Sequence, residues 1–341
     1  MHLDPLSSDH VVFPGLGIDL DIDPTAFSIF GFEIKWYGIC IAIGLFLAMT
    51  YCFKRTKSFG LDGDSLSEAV FFGLMGAIIG ARAYYVIFHI DSYTDIKQIL
   101  AIRDGGLAIY GGIIGALILG CIVCKVKKIH ILSAVDLASM GFFIGQACGR
   151  WGNFFNQECF GTNTSLPWGM SSGRVQNYLS YNKDALAQMG IMVDPYQTVH
   201  PCFLYESIWC VAGFLILHFF YKHRKFDGEL ICIYCAWYGT GRAVIEGLRT
   251  DSLYIGSFRA SQLLAIITAA AAVVVIVIGH IRAAKNGVHL FCDSEEGKAV
   301  IAASEQRDKE EKERSENRKK KALDSDQHII DDTDDEEDSD E

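Results

Sequence analysis

Long apolar runs, each able to cross a hydrocarbon core of about 30 Å, constrain this chain more than any other feature. They fall at roughly 35–53, 68–90, 105–124, 132–149, 202–221, 229–248 and 258–281. Several are too long for barrel strands. Backbone groups in lipid must also be satisfied within their own segment, so only helices fit. The expected architecture is an all-α polytopic membrane protein with about seven transmembrane helices. The runs near 68–90, 132–149 and 229–248 also carry charges, which ordinary spans avoid.

Basic residues orient the runs. One set of connections holds Lys54, Arg55 and Lys57, then Lys125, Lys127 and Lys128, then Lys222, Arg224 and Lys225, and finally Arg282 and Lys285. The alternate connections are poor in Lys and Arg for their length, above all 151–200. By the positive-inside rule the N-terminus is expected outside and the C-terminus in the cytoplasm. A long extracytoplasmic segment then lies between spans four and five. The first 24 residues carry Asp4, Asp9, Asp19, Asp21 and Asp23 but no Lys or Arg, so a cleavable signal is not expected there. The expected divisions are an extracytoplasmic segment at 1–30, a membrane catalytic domain at 31–285 and a charged tail at 286–341.

The net charge of -11 belongs to that tail. Residues 293–341 hold 20 acidic and 9 basic side chains, and the rest of the chain is balanced. With so little apolar surface, the tail is expected to be disordered, cytoplasmic and functionally minor. Most of the 11 cysteines lie inside apolar runs, including the pairs Cys121/Cys124 and Cys232/Cys235. A zinc site needs a second ligand pair and a polar shell, so these thiols are read as small packing residues. Gly76xxxGly80, Gly111xxxGly115 and Gly141xxxGly145xxxGly149 repeat small residues on single helical faces, which lets helix backbones approach closely.

Ionisable groups inside spans are costly and usually mark a working cavity. Here they are Arg82, Arg150, Glu206 near His200, and then Tyr238, Arg242, Glu246 and Arg249. The last four recur at spacings of four, four and three, on one helical face. With the expected topology all of them converge on the outer side. Four arginines against two glutamates leave surplus positive charge, and the planar guanidinium suits phosphate. An anionic lipid head group at the outer leaflet is the ligand this chemistry suggests. A transporter or channel for an anionic lipid or solute would also use intramembrane arginines, but no inverted repeat is evident. A structural scaffold recruiting partners through its acidic tail would leave the arginines unexplained.

The densest polar segment runs Gly149-Arg150-Trp151-Gly152-Asn153-Phe154-Phe155-Asn156-Gln157-Glu158-Cys159-Phe160-Gly161. It resembles the GRxGNFxNxExxG signature of the prolipoprotein diacylglyceryl transferase family. Supporting matches are Trp36-Tyr37-Gly38, Gly80-Ala81-Arg82, and Gly105-Gly106-Leu107-Ala108-Ile109-Tyr110-Gly111-Gly112. Further on come His200-Pro201 with Leu204-Tyr205-Glu206, then Tyr238-Gly239, Arg242, Glu246, Arg249 and Asp251.

The resemblance covers residues 30–280 or so and implies a reaction. The diacylglyceryl unit of phosphatidylglycerol would move to the lipobox cysteine thiol of a prolipoprotein, releasing glycerol phosphate. It implies a multi-pass protein of the bacterial plasma (inner) membrane whose partners are that lipid, prolipoprotein signal peptides and the bilayer, with no nucleic acid. No cofactor or metal is implied. Carried over by position, Arg150 and Arg242 are the expected phosphate-holding arginines. Asn153, Glu158 and Gly161 match signature positions, Tyr37 and Tyr238 match polar lining residues, and Glu246 matches the carboxylate paired with Arg242. Arg82, Arg249 and His200 are expected in supporting positions. Tyr110 stands where some members have a histidine assigned as base. A tyrosine, with a reference pKa near 10, suits orienting the head group or thiol better than removing a proton, which leaves a substrate oxygen or Glu246 to accept it.

Overall fold

The computed structural model describes residues 2–93, 95–101, 105–250, 254–255 and 258–337. In chain order the helices are α1 (Trp36–Phe53), α2 (Gly63–Phe88), α3 (Ile96–Leu100), α4 (Ile109–Val126) and α5 (Ile131–Asn156). They continue with α6 (Gly173–Gln188), α7 (Cys202–Phe220), α8 (Glu229–Leu248), α9 (Ala260–Asn286) and α10 (Glu295–Glu337). Short strands join them: β1 (His10–Phe13), β2 (Ile18–Asp21), β3 (Thr25–Ile29), β4 (Phe32–Lys35), β5 (Ser171–Ser172), β6 (Tyr254–Ile255) and β7 (Phe258–Arg259).

Among the described residues six helices are long and apolar enough to cross a membrane: α1, α2, α4, α5, α7 with the turn after it, and α9. The chain is a mostly helical, polytopic membrane protein. The seventh expected span, α8, is a helix of 20 residues. It falls outside that composition because Glu229, Arg242 and Glu246 lie within it. Glu229 and Glu246 are nevertheless buried, so α8 turns charge inward and not toward lipid.

The chain forms two compact units. One comprises residues 1–56 and 131–290, the other 57–130 and 291–341. In the first, α1 packs on α5. A Cβ on Gly44 would meet the Cys148 side chain and the Gly145 backbone, and one on Gly141 would meet Cys52. β1 pairs with β2 and β5, setting Val11 opposite Leu20 and Ser172. That sheet shares a core with α6 through Val11, Phe13, Val175, Leu179 and Leu186. The Ser172 hydroxyl caps α6 by accepting from the Val175 amide at 3.2 Å, the usual device for an orphan N-terminal donor. The acidic N-terminal segment and the long 151–200 connection therefore fold together.

In the second unit α2 and α4 cross through the expected glycines. A Cβ on Gly76 or Gly80 would overlap the carbonyl oxygen of Gly115 or Gly111. Where disorder was expected from 286 onward, the structure has a turn at Phe291–Asp293 followed by α10. Phe291 stacks on His130 at 4.4 Å. Arg307 reaches Asp62 at 2.5 Å, and Lys57 lies 3.4 Å from both Glu305 and Asp308. Complementary charge and one aromatic anchor hold the early turns, while Glu, Lys, Arg and Ala favour the helical backbone.

Candidate active site

α5 does not stop at residue 149, where its apolar run ends, but continues to Asn156. The extra turns take Arg150 and Asn153, three residues apart, onto one face. Trp151, Phe154 and Phe155 cover the others, with Phe154 against Phe203 at 5.1 Å and Trp36 stacked on Phe155 at 5.0 Å. Gln157 and Cys159 then adopt positive φ values of 57° and 61°. This tight reversal brings Glu158 back to the helix end: its carboxylate accepts from Asn153 at 3.1 Å and Asn156 at 3.0 Å.

At the centre is Glu206, in the first turns of α7 and only 2% exposed. Its Oε2 lies 2.7 Å from Arg150 Nη2, and its Oε1 lies 2.7 Å from Arg242 Nη1. Arg249 Nη1 is 4.0 Å from Oε1. Arg242 turns its other terminal nitrogen to Glu246, one turn along α8, at 2.7 Å. Arg150 Nη1 donates to Asn153 Oδ1 at 3.2 Å and lies 4.0 Å from Cys159 Sγ. Three arginines thus meet two buried carboxylates and keep a positive surplus.

Supporting residues fix this cluster from behind. Arg259 donates to the Glu246 carbonyl at 2.5 Å. Tyr238 stacks on Tyr234 with rings 5.7 Å apart and nearly parallel, and Tyr234 accepts from Gln146 at 2.8 Å. Tyr37 lies over Gly152, where a Cβ would strike its ring. Gly161 donates to the His200 carbonyl at 2.9 Å and forms an antiparallel bridge with Arg249. A Cβ on Gly161 would meet the Leu248 carbonyl and the Cys202 sulfur, so glycine lets the signature loop close on the end of α8. His200 Nδ1 lies 3.1 Å from Tyr205 Oη, which accepts from Trp168 Nε1 at 2.8 Å. Burial pushes the His200 pKa down, so the ring is neutral at pH 7.

Two expected site residues belong to the other unit. Arg82, 8% exposed, donates to backbone carbonyls of its own surroundings: Gln98 at 2.7 Å, Ile99 at 2.8 Å, Gly105 at 2.7 Å and Gly106 at 3.1 Å. It thereby ties the last turn of α3 to Gly105 and Gly106 ahead of α4. Tyr110 sits in the first turn of α4 and is 59% exposed. Asp251 lies outside the described residues.

Sequence reasoning placed Glu206 among the intramembrane charges but not in the site. Its signal was there, a carboxylate in the first turn of an apolar span. Nothing in the spacing showed that arginines from two other helices would share it. Cys159 and Arg259 were missed as well, Cys159 because it hides inside the signature as a small residue.

Comparisons with known proteins point to one family. The family model described as prolipoprotein diacylglyceryl transferase matches residues 24–278. The phosphatidylglycerol–prolipoprotein diacylglyceryl transferase of Finegoldia magna is 42% identical over 247 residues, 72% of this chain and 91% of that protein. The protein of the same name from Thermotoga maritima is 42% identical over 244 residues, 71% of this chain and 79% of its own. That of Staphylococcus aureus strain Newman is 39% identical over 263 residues, 76% and 90% of the two chains.

Proposed function

Because the chain belongs to the prolipoprotein diacylglyceryl transferase family, we propose that it moves the diacylglyceryl group of phosphatidylglycerol onto the lipobox cysteine thiol of a prolipoprotein. The reaction belongs at the outer face of a bacterial plasma membrane, with the N-terminus outside and the C-terminus cytoplasmic. The thiol sulfur bonds to the glyceryl carbon as that carbon's bond to the phosphate oxygen breaks. A thioether forms and glycerol phosphate leaves with the electron pair. The thiol proton passes to a phosphate oxygen of the leaving group.

The observation that carries this reading is the sharing of Glu206 by Arg150 and Arg242. A guanidinium has five N–H donors, and the carboxylates engage only part of each fork. The rest can meet a phosphate. Because the buried carboxylates hold both forks in place, charge growing on the departing phosphate ester meets donors that need no reorganisation. Glu246 orients Arg242, and Asn153 with Glu158 orients Arg150. Tyr37 and Tyr238 line the lipid head group. Gly161, His200 and Arg249 hold the signature loop against α8. Arg82 shapes the loop ahead of α4, and Tyr110 orients the head group or thiol.

The test uses purified protein with phosphatidylglycerol and a lipobox peptide, reading glycerol phosphate release. Release that requires the peptide thiol and collapses in Arg150→Ala and Arg242→Ala supports the reading. Folded protein that releases nothing with several peptides refutes it and turns attention to transport of an anionic lipid.

A further inference from the structure

The register of β3 and β4 sets Phe27 opposite Ile34, Ser28 opposite Glu33 and Ile29 opposite Phe32. Side chains alternate along a strand, so the hairpin has two unlike faces. Phe27, Ile29 and their cross-strand partners make one apolar face, while Ser28 and Glu33 take the other. The polar side is closed by Lys35, whose Nζ reaches Glu33 Oε2 at 2.5 Å and Thr25 Oγ1 at 2.7 Å. The apolar side turns outward. Phe27 and Ile29 are each 50% exposed, and Phe30, at the turn with φ 50°, is 98% exposed.

A two-stranded hairpin is marginally stable in water on its own, and large apolar groups turned outward together mark a surface built to be covered. The cover follows from where the hairpin is rooted. β4 runs directly into α1, and the Trp36 amide donates to the Pro24 carbonyl at 2.9 Å, closing the hairpin base on the first turn of that helix. α1 is apolar enough to cross the membrane, so the base lies where a span meets the interface. Trp36 is the residue type that favours that level.

We propose that the β3–β4 hairpin lies in the membrane interface with Phe27, Ile29 and Phe30 among the acyl chains, its occupant being the lipid surface. An amphipathic element with one apolar and one charged face suits that boundary. The inference rests on α1 as a span and stands whether or not the chain is a transferase. Trp36 stacks on Phe155 and Tyr37 lies over Gly152, so a hairpin anchored in lipid fixes the start of α1 against the helix end that carries Arg150.

The test places a photoreactive benzoylphenylalanine at Phe30 or, separately, at Glu33 in the full chain. The protein is reconstituted in bilayers of phosphatidylglycerol and phosphatidylethanolamine, irradiated and examined by mass spectrometry. Phospholipid adducts at Phe30 with none at Glu33 are expected. Equal lipid labelling at both positions, no lipid adduct at Phe30, or crosslinks from Phe30 to another protein chain instead of lipid would each overturn the proposal.

Discussion

Arg150 and Arg242 bind opposite oxygens of one carboxylate, each at 2.7 Å from Glu206. Two cations from separate helices are held close by a single buried anion. The positions of both forks therefore depend on a residue that touches them from a third helix.

Replacing that anion should be severe. In Glu206→Gln both ion pairs are lost and the guanidinium groups repel. Breaking a buried ion pair costs about 3–5 kcal/mol, and the lower end applies because both arginines keep some contact with solvent. Thermal unfolding in detergent should show a lowered melting temperature. Glycerol phosphate release should fall by about 10²–10³, the loss seen when a fixed donor to a developing anion is removed. A variant with unchanged release would show that Glu206 does not position the arginines.

Gly106 should tolerate no side chain. Its φ is +74°, and a Cβ there would collide with the Arg82 guanidinium and the Tyr85 ring. Backbone strain of this kind costs about 1–3 kcal/mol. Gly106→Ala is expected to loosen the loop ahead of α4, giving faster hydrogen exchange at 105–108. Gly105→Ala serves as the comparison, because its φ is +87° but its Cβ would meet nothing.

Tyr110→Phe separates orientation from proton removal. Loss of the hydroxyl is expected to leave most of the turnover, because another group takes the thiol proton. Collapse of the rate in this variant, with KM little changed, would make the hydroxyl essential instead.

The docking of α10 should fail in acid. Burial pushes the Asp62 carboxyl up, but hydrogen bonds from the Ser65 hydroxyl and amide, with Arg307 beside it, outweigh that and hold its pKa at about 2. A depressed carboxylate stabilises the folded state fully above its unfolded value near 3.9. That contribution is lost as pH falls through the folded value. Pepsin should therefore cut 295–318 increasingly as the pH drops from about 4 to 2. Asp62→Asn should be cut readily across that range, and a cleavage rate in the natural protein that ignores pH would exclude the Asp62–Arg307 contact as the clasp.

The sequence by itself determined the membrane class, because apolar runs of span length leave helices as the sole solution for backbone groups in lipid. It also marked faces of small residues that allow close helix approach, and the structure shows α2 and α4 meeting on them through Gly76, Gly80, Gly111 and Gly115. Arg150, Arg242 and Glu246, which the structure brings together, were legible because a charge inside an apolar run is too costly to be incidental.

Tertiary structure decided the rest. Local patterning ended the fourth span at residue 149, but packing of Phe154 and Phe155 against neighbours carries α5 to Asn156. Composition made the charged tail look unable to order, yet partners far away in sequence, Asp62 and His130, hold its first turns. Charge and resemblance together put Arg82 in a supporting position at the head group, and only the structure shows that backbone carbonyls surround its guanidinium. Glu206 became the hub only when α5, α7 and α8 were brought together. Sequence periodicity reports which face of one helix is polar, and it holds no information on which partner from another helix that face will meet.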